Sequence, residues 1–190
     1  MKLYHIHKRG IGDDKWVAGN RFLADFENKF WKSCMNFSTW VNAYDEKAYP
    51  YQNVYKHYKS LGDIPLCMEL LDVSSNIIGE FQMLIREVGM ENIRNMCFSN
   101  LPSRCSRVWL CRENQIDYWK KFIPGDVAIF EVEVCERRMF KSRNLLIPLP
   151  SDSYAKILEK AKVYWSYQSS DENEDDEYLY NGEVLVIRQV

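Results

Sequence analysis

The stretch Glu177-Tyr-Leu-Tyr-Asn-Gly-Glu-Val-Leu-Val-Ile187 decides how this chain is read. Val184–Ile187 is apolar on both faces, which places it inside a sheet rather than at an edge. Six acids crowd the residues ahead of it: Asp171, Glu172, Glu174, Asp175, Asp176 and Glu177. An acid in such a run is ordinarily just solvated. Glu177 differs in standing directly before a buried strand, where a carboxylate can hold a substrate hydroxyl at the mouth of a cleft.

Working outward, Val127–Val134 is the clearest strand. Phe130, Val132 and Val134 share one side and Glu131 and Glu133 the other, which implies one solvated sheet face. At the opposite end, residues 2–7 alternate as a short strand, with Leu3, His5 and His7 on one face and Tyr4 and Ile6 on the other. Arg107–Cys111 reads as a further strand, and 113–122 as a short helix carrying Tyr118 and Trp119. Ser153 caps a helix to about Gln168 whose stripe is Ile157, Leu158, Ala161, Tyr164 and Trp165. Residues 80–97 read as a helix with Phe81, Leu84, Ile85, Val88, Ile93 and Met96 or Cys97 on its apolar side. Residues 20–60 are aromatic and poor in Gly, and are expected to form helices broken near Tyr49-Pro50-Tyr51 and again at Ser60–Pro65. Strands at both ends with helices between them argue for an α+β fold. No linker or repeat divides the chain, so 1–190 is expected to be one domain with a helical insertion at about 20–98.

The composition narrows the function classes. At 190 residues the chain can bury roughly 70% of the surface its unfolded form exposes, so it needs neither disulfides nor a metal to fold. A net charge of −2 gives no global reason to bind nucleic acid. Cys34, Cys67, Cys97, Cys105, Cys111 and Cys135 include no C-x-x-C pair, which argues against a structural zinc. No secretory leader opens the chain and no apolar run reaches the ~18–20 residues of a membrane span. The expectation is a cytoplasmic protein with reduced, mostly buried thiols.

Glycine-rich nucleotide motifs and the G-x-S-x-G elbow are absent. Three constellations remain. Arg104, Arg107, Arg112, Arg86 and Arg94 offer guanidinium forks suited to a pyrophosphate. The plain alternative is ion pairing, since Arg86 and Arg94 share a helix with Glu80, Glu87 and Glu91. Tyr55-Lys-His-Tyr-Lys59 interleaves aromatics with cations, as a nucleic-acid contact would, and equally fits a helix with snorkelling lysines. A Cys–His nucleophile could use His5, His7 or His57, but no cysteine has an activating context.

Leu101-Pro-Ser-Arg104, Val108-Trp-Leu110, Tyr118-Trp119, Phe130-Glu-Val-Glu-Val134, Lys160-Ala-Lys-Val-Tyr-Trp165 and Glu177-x-Leu-x-x-Gly-Glu-Val184 together look like a little-characterised bacterial family. That family resembles the ADP-ribosyltransferase superfamily. The likeness runs from Arg86-Glu87 to the C-terminus, takes in the opening Tyr4-His-Ile6, and leaves 25–75 unmatched. It implies a split, mainly antiparallel sheet and transfer of ADP-ribose from NAD to a macromolecule, protein or nucleic acid. By that likeness Glu177 falls at the catalytic glutamate, which stabilises an oxocarbenium-like state. His5 matches the contact to the adenosine ribose, and the backbone of Ile6 the contact to the nicotinamide amide. Trp109 falls at an aromatic beside the nicotinamide. Arg104 is assigned to the pyrophosphate from its own place after Pro102-Ser103, where a turn could aim it into a cleft. The acidic run sits where the superfamily carries a target-recognition loop. Ile6 stands where Gly is frequent, and Trp109 where Tyr is commoner; these departures either narrow the pocket or mark a degenerate site.

The resemblance also implies a context: a toxin, effector or phage-defence component with an antitoxin or chaperone as partner, and no metal or membrane. Two alternatives stand beside it. The same scaffold could move a phosphate from RNA to NAD, or could have lost NAD binding and serve as a protein-interaction module.

Overall fold

The computed structural model describes residues 2–10, 13–24, 31–32, 35–36, 40–42, 47–62 and 64–190. Nine strands and four α-helices can be named among them. They are β1 (Leu3–Lys8), β2 (Arg21–Leu23), β3 (Trp40–Asn42), β4 (Ala48–Pro50), α1 (Tyr51–Leu61), α2 (Ile64–Cys97), β5 (Val108–Leu110), α3 (Ile116–Lys120), β6 (Val127–Val134), β7 (Met139–Arg143), α4 (Tyr154–Trp165), β8 (Asp176–Tyr180) and β9 (Glu183–Gln189).

The strands form a four-stranded sheet in the order β1-β6-β9-β2, a three-stranded sheet in the order β5-β8-β7, and the separate β3-β4 pair. Every pairing is antiparallel. The protein is therefore α+β, as the order of its elements implied. The two larger sheets meet along β1 and β5 at an isolated bridge, Tyr4 to Cys111, closed by N–H to carbonyl bonds of 2.8 and 2.9 Å.

Burial follows from the period of two. Leu3, Phe130, Val132, Val184 and Val186 from the larger sheet pack with Val108, Leu110, Tyr178 and Tyr180 from the smaller one. The opposite face of the smaller sheet, carrying Phe140 and Leu179, is covered by Met90 and Ile93 of α2 and by Ala161, Tyr164 and Trp165 of α4. Tyr4 and Ile6, on the other side of β1, pack against Ile116 and Trp119 of α3.

Much of the sequence reading stands. Val127–Val134 is a strand with the expected bounds, Glu131 meeting Arg188 at 2.8 Å while Glu133 faces solvent. β9 lies inside its sheet, between β6 and β2, although Ile187 is 40% exposed. Ser153 accepts from the Lys156 N–H at the start of α4, whose buried stripe includes Ile157, Ala161, Tyr164 and Trp165. The break before Pro65 is a left-handed cap at Gly62, with φ +66°.

Three expectations are corrected. Within 20–60, the described residues include the three-residue strands β2, β3 and β4, too short for alternation to be read, together with helical positions at 31–32 and 35 and α1 from Tyr51; residues 25–30, 33–34, 37–39 and 43–46 lie outside the described residues. The helix expected over 80–97 begins at Ile64 and runs 34 residues, through Ser74, Ser75 and Gly79. Its inner side is Glu87, Met90, Glu91 and Ile93, while Phe81 and Ile85 are each 43% exposed and Met96 79%. Lastly, the acidic run is no solvated loop throughout, because β8 starts at Asp176 and every residue of it is buried.

Candidate functional site

β8 is the centre strand of its sheet, and its period of two turns Glu177 and Leu179 toward the helices. Glu177 therefore arrives on an apolar face with its carboxylate buried. Arg104 meets it, Nη1 to Oε1 at 2.5 Å. The Tyr164 hydroxyl donates to the same oxygen and accepts from Arg104 Nη1 at 2.8 Å. Glu87 of α2 takes Arg104 Nε at 3.3 Å on one oxygen and Arg86 at 2.7 and 2.9 Å on the other.

One turn further along α2, Glu91 accepts the Arg104 backbone N–H, the Ser103 hydroxyl and Arg94 Nε, each at 2.9 Å. Leu-Pro-Ser-Arg thus forms a turn clamped onto α2 by two glutamates one helical turn apart. The network sets three arginines against three glutamates. Burial disfavours the charge on Arg104, yet Glu177, Tyr164 and Glu87 raise its pKa well above the ordinary value. Burial, reinforced by Glu177, also pushes the Tyr164 phenol well up despite Arg104, so it stays protonated as a donor.

The rest of the acidic stretch is pinned by cations. Arg143 holds Asp175 at 2.7 and 2.9 Å, Lys141 holds Asp176 at 2.9 Å, and Arg112 pairs with Glu172. Burial opposes the charge on Asp175, but Arg143 and the Leu145 N–H prevail and lower its pKa. Glu174 remains exposed.

His5 lies across the junction of the sheets. Its Nδ1 is 2.9 Å from the Trp109 carbonyl oxygen, and Trp16 stacks on the ring at 3.9 Å between centroids and 12° between planes. Burial lowers its pKa to about 4, opposed by the Trp109 carbonyl and reinforced by His7. The imidazole is therefore neutral near pH 7. Trp109 links the two halves of the site: its carbonyl meets His5, and its ring lies 5.7 Å from the Arg104 guanidinium. Ile6 packs on the opposite side of β1 from His5, in the cluster with Tyr4 and Cys111.

The structure thus joins Glu177, Arg104 and Trp109, with His5 reached through Trp109. Arg104 departs from the role expected of it: its fork is buried and turned to two carboxylates and a phenol rather than to an open cleft. Arg86 and Arg94 are paired as the ion-pair alternative anticipated. Cys105 and Cys111 are raised to about 12, Cys105 by burial and Glu91 and Cys111 by burial, which opposes a thiolate nucleophile at either. Tyr164 and Glu87 were missed as site residues. Tyr164 looked like one more member of an apolar stripe. Glu87 and Glu91 carried a usable signal, two acids four apart flanking Met90 on a helix that had to bury one side.

Among the described residues no His, Cys, Asp and Glu group could hold a metal ion, and no helix is long and apolar enough to cross a membrane. Fold and site together define an α+β protein with two larger antiparallel sheets and a separate strand pair, and with a charged cluster locked between the three-stranded sheet and two helices. Over residues 3–190 the chain matches the family described as Protein of unknown function (DUF2441), and it belongs to that family. No curated protein matches it.

Proposed function

We propose that this protein cleaves NAD and transfers ADP-ribose to a macromolecule. The observation that carries the reading is the junction of the sheets. Two antiparallel sheets part beside a single bridge, His5 and Trp109 flank that bridge, and a buried carboxylate sits on the strand next to Trp109. The register Leu110 to Tyr178, continued by one residue, sets Cys111 beside Glu177, and Cys111 is bridged to Tyr4. Neighbouring strands lie about 4.8 Å apart, so the backbones of Glu177 and Tyr4 are two strand spacings, about 10 Å, apart at this junction.

In this reaction the bond between nicotinamide and ribose C1′ breaks, and nicotinamide leaves with the bonding electrons. The target's nucleophile forms the new bond to C1′ and gives up its proton. The Glu177 carboxylate would grip the ribose hydroxyls and offset the positive charge that develops on the ring. Arg104 and Tyr164 would hold that carboxylate in one orientation. Neutral His5 can exchange a hydrogen bond with the second ribose once Trp16 yields its place.

A second reading is a protein-interaction scaffold without turnover, favoured by the Trp16–His5 stack and by the closed pairing of Arg104 with Glu177. The transfer of phosphate from RNA to NAD draws less support, because Arg86, Arg94 and Arg104 each face a glutamate rather than form a basic groove.

The test is labelled NAD with total lysate, split into protein and nucleic-acid fractions, with wild type beside Glu177→Gln. Label in one fraction with wild type alone is the expected result. Absence of both label and free nicotinamide from a folded protein would overturn the transferase in favour of the scaffold.

A further inference from the structure

We propose that the Trp16 indole is a gate on the NAD site, lying on the face of His5 that the adenine ring of the dinucleotide takes when it binds. The proposal rests on the NAD reading for the identity of its ligand. The indole lies nearly parallel to the imidazole, with 3.9 Å between centroids and 12° between planes. Phe22 meets it edge-on at 5.0 Å, and Phe130 and His7 tilt against it at 5.6 and 5.5 Å. The ring therefore fills an aromatic box whose floor is His5.

Three observations separate this ring from an ordinary core residue. Trp16 is 7% exposed, yet it is the one buried side chain of residues 14–20. That segment is tied to the four-stranded sheet at its far end, by the Gly19 N–H on the Val186 carbonyl at 2.8 Å and the Val186 N–H on the Asn20 carbonyl at 2.9 Å. Asn20 then turns back on the segment itself, its N–H and its side-chain amide donating to the Val17 and Asp14 carbonyls at 3.0 and 3.1 Å. Finally, the indoles of Trp119 and Trp165 are each fastened by an N–H bond to a carbonyl, at 3.0 and 2.9 Å. No such bond fastens Trp16 to a described residue; ring packing holds it. A side chain held that way turns about χ1 and χ2 without breaking a hydrogen bond.

Ring shape identifies the occupant. Indole and purine are both flat, fused six- and five-membered rings, so adenine can replace the indole face for face and keep the stack on His5. The Trp109 carbonyl only accepts, so His5 Nδ1 donates to it. In the neutral ring Nε2 is then an acceptor, and it can take a hydroxyl of the ribose that adenine carries. With the indole in place the box is filled. NAD therefore binds only the fraction of molecules in which the indole has swung out, and its apparent affinity falls by that fraction.

Calorimetric titration of the full chain with AMP, with NAD and with nicotinamide mononucleotide tests the gate, alongside nicotinamide release from NAD. Trp16→Ala should bind AMP and NAD about tenfold more tightly than wild type, and nicotinamide mononucleotide no better. Trp16→Phe, whose ring still stacks, should stay near wild type. If Trp16→Ala loses its fold by circular dichroism, Trp16→Leu, which restores apolar volume without a stacking face, carries the same expectation. A Trp16 that serves only the core would leave AMP binding unchanged or weakened in these variants, and either result would overturn the gate. Tightened AMP binding with no nicotinamide released by any variant would keep the gate on a purine site and remove the NAD reading. Nicotinamide release with AMP binding unchanged would do the reverse.

Discussion

Arg104 and Glu177 form an ion pair of 2.5 Å in which both side chains are buried. The same guanidinium is shared with Glu87, and the same carboxylate oxygen with Tyr164. Removing Arg104 therefore strands the Glu177 charge under the sheet, whereas removing Glu177 leaves Arg104 paired with Glu87.

Replacing Arg104 with Met leaves Glu177 without its cation and Glu87 with Arg86 alone. Breaking a buried pair from one side costs about 3–5 kcal/mol, and a loss of that size in urea unfolding is expected. Adding Glu177→Gln to Arg104→Met should recover part of it, because the stranded carboxylate is gone. Losses that simply add would show that the two residues are not coupled.

Tyr164→Phe separates support of the carboxylate from support of the fold. It removes one donor to Glu177 and one acceptor for Arg104, at a cost of about 1–3 kcal/mol. If Glu177 acts on NAD, kcat should fall about tenfold or more while the KM for NAD changes little. An unchanged kcat in a folded Tyr164→Phe would remove Tyr164 from the positioning of Glu177.

The pH dependence of stability should carry the mark of His5. Its pKa falls from an ordinary ~6.5 to about 4 in the fold, so the unfolded chain binds the proton more readily. Its contribution is fully present above pH ~6.5 and is lost as pH falls from there toward 4, amounting to at most about 3 kcal/mol. Urea midpoints at pH 7.5 and 4.5 should differ less for His5→Gln than for wild type. Equal differences would place the acid sensitivity elsewhere.

How far the sequence could be read depended on whether a residue's own strand or helix set its environment. Val127–Val134 and the Ser153 helix were legible because their periodicity and cap are local. β9 was legible as an inner strand because Val184 and Val186 on one face and Leu185 and Ile187 on the other leave no polar side. Glu87 and Glu91 were not, because their burial answers to Arg104, on a turn far along the chain. The acidic run misled for the same reason: Asp175 and Asp176 are buried only because Arg143 and Lys141, on β7 beside them, supply the counter-charge. Glu177 was singled out from its place before the last strand, but its partner Arg104 was expected to face a ligand.

Two glycines of α2 should respond to the same substitution with opposite signs. A Cβ on Gly79 would meet nothing within 4 Å, whereas one on Gly89 would stand 2.7 Å from Ile157 Cγ2 and 3.3 Å from the Tyr154 ring. Alanine is favoured over glycine in a helix interior by about 1 kcal/mol, so Gly79→Ala should raise stability by up to that amount. At Gly89 the gain is outweighed, because Ile157 is β-branched, held in one rotamer on α4, and cannot step aside. Overpacking of this kind costs about 1–3 kcal/mol, and Gly89→Ala should lower the melting temperature while loosening α4 from α2. In an Ile157→Ala background, which lacks the clashing Cγ2, Gly89→Ala should cost less than it does in wild type. If Gly89→Ala proves as stabilising as Gly79→Ala, then α2 and α4 do not approach as closely as Met90 and Trp165, bonded at 2.9 Å, indicate.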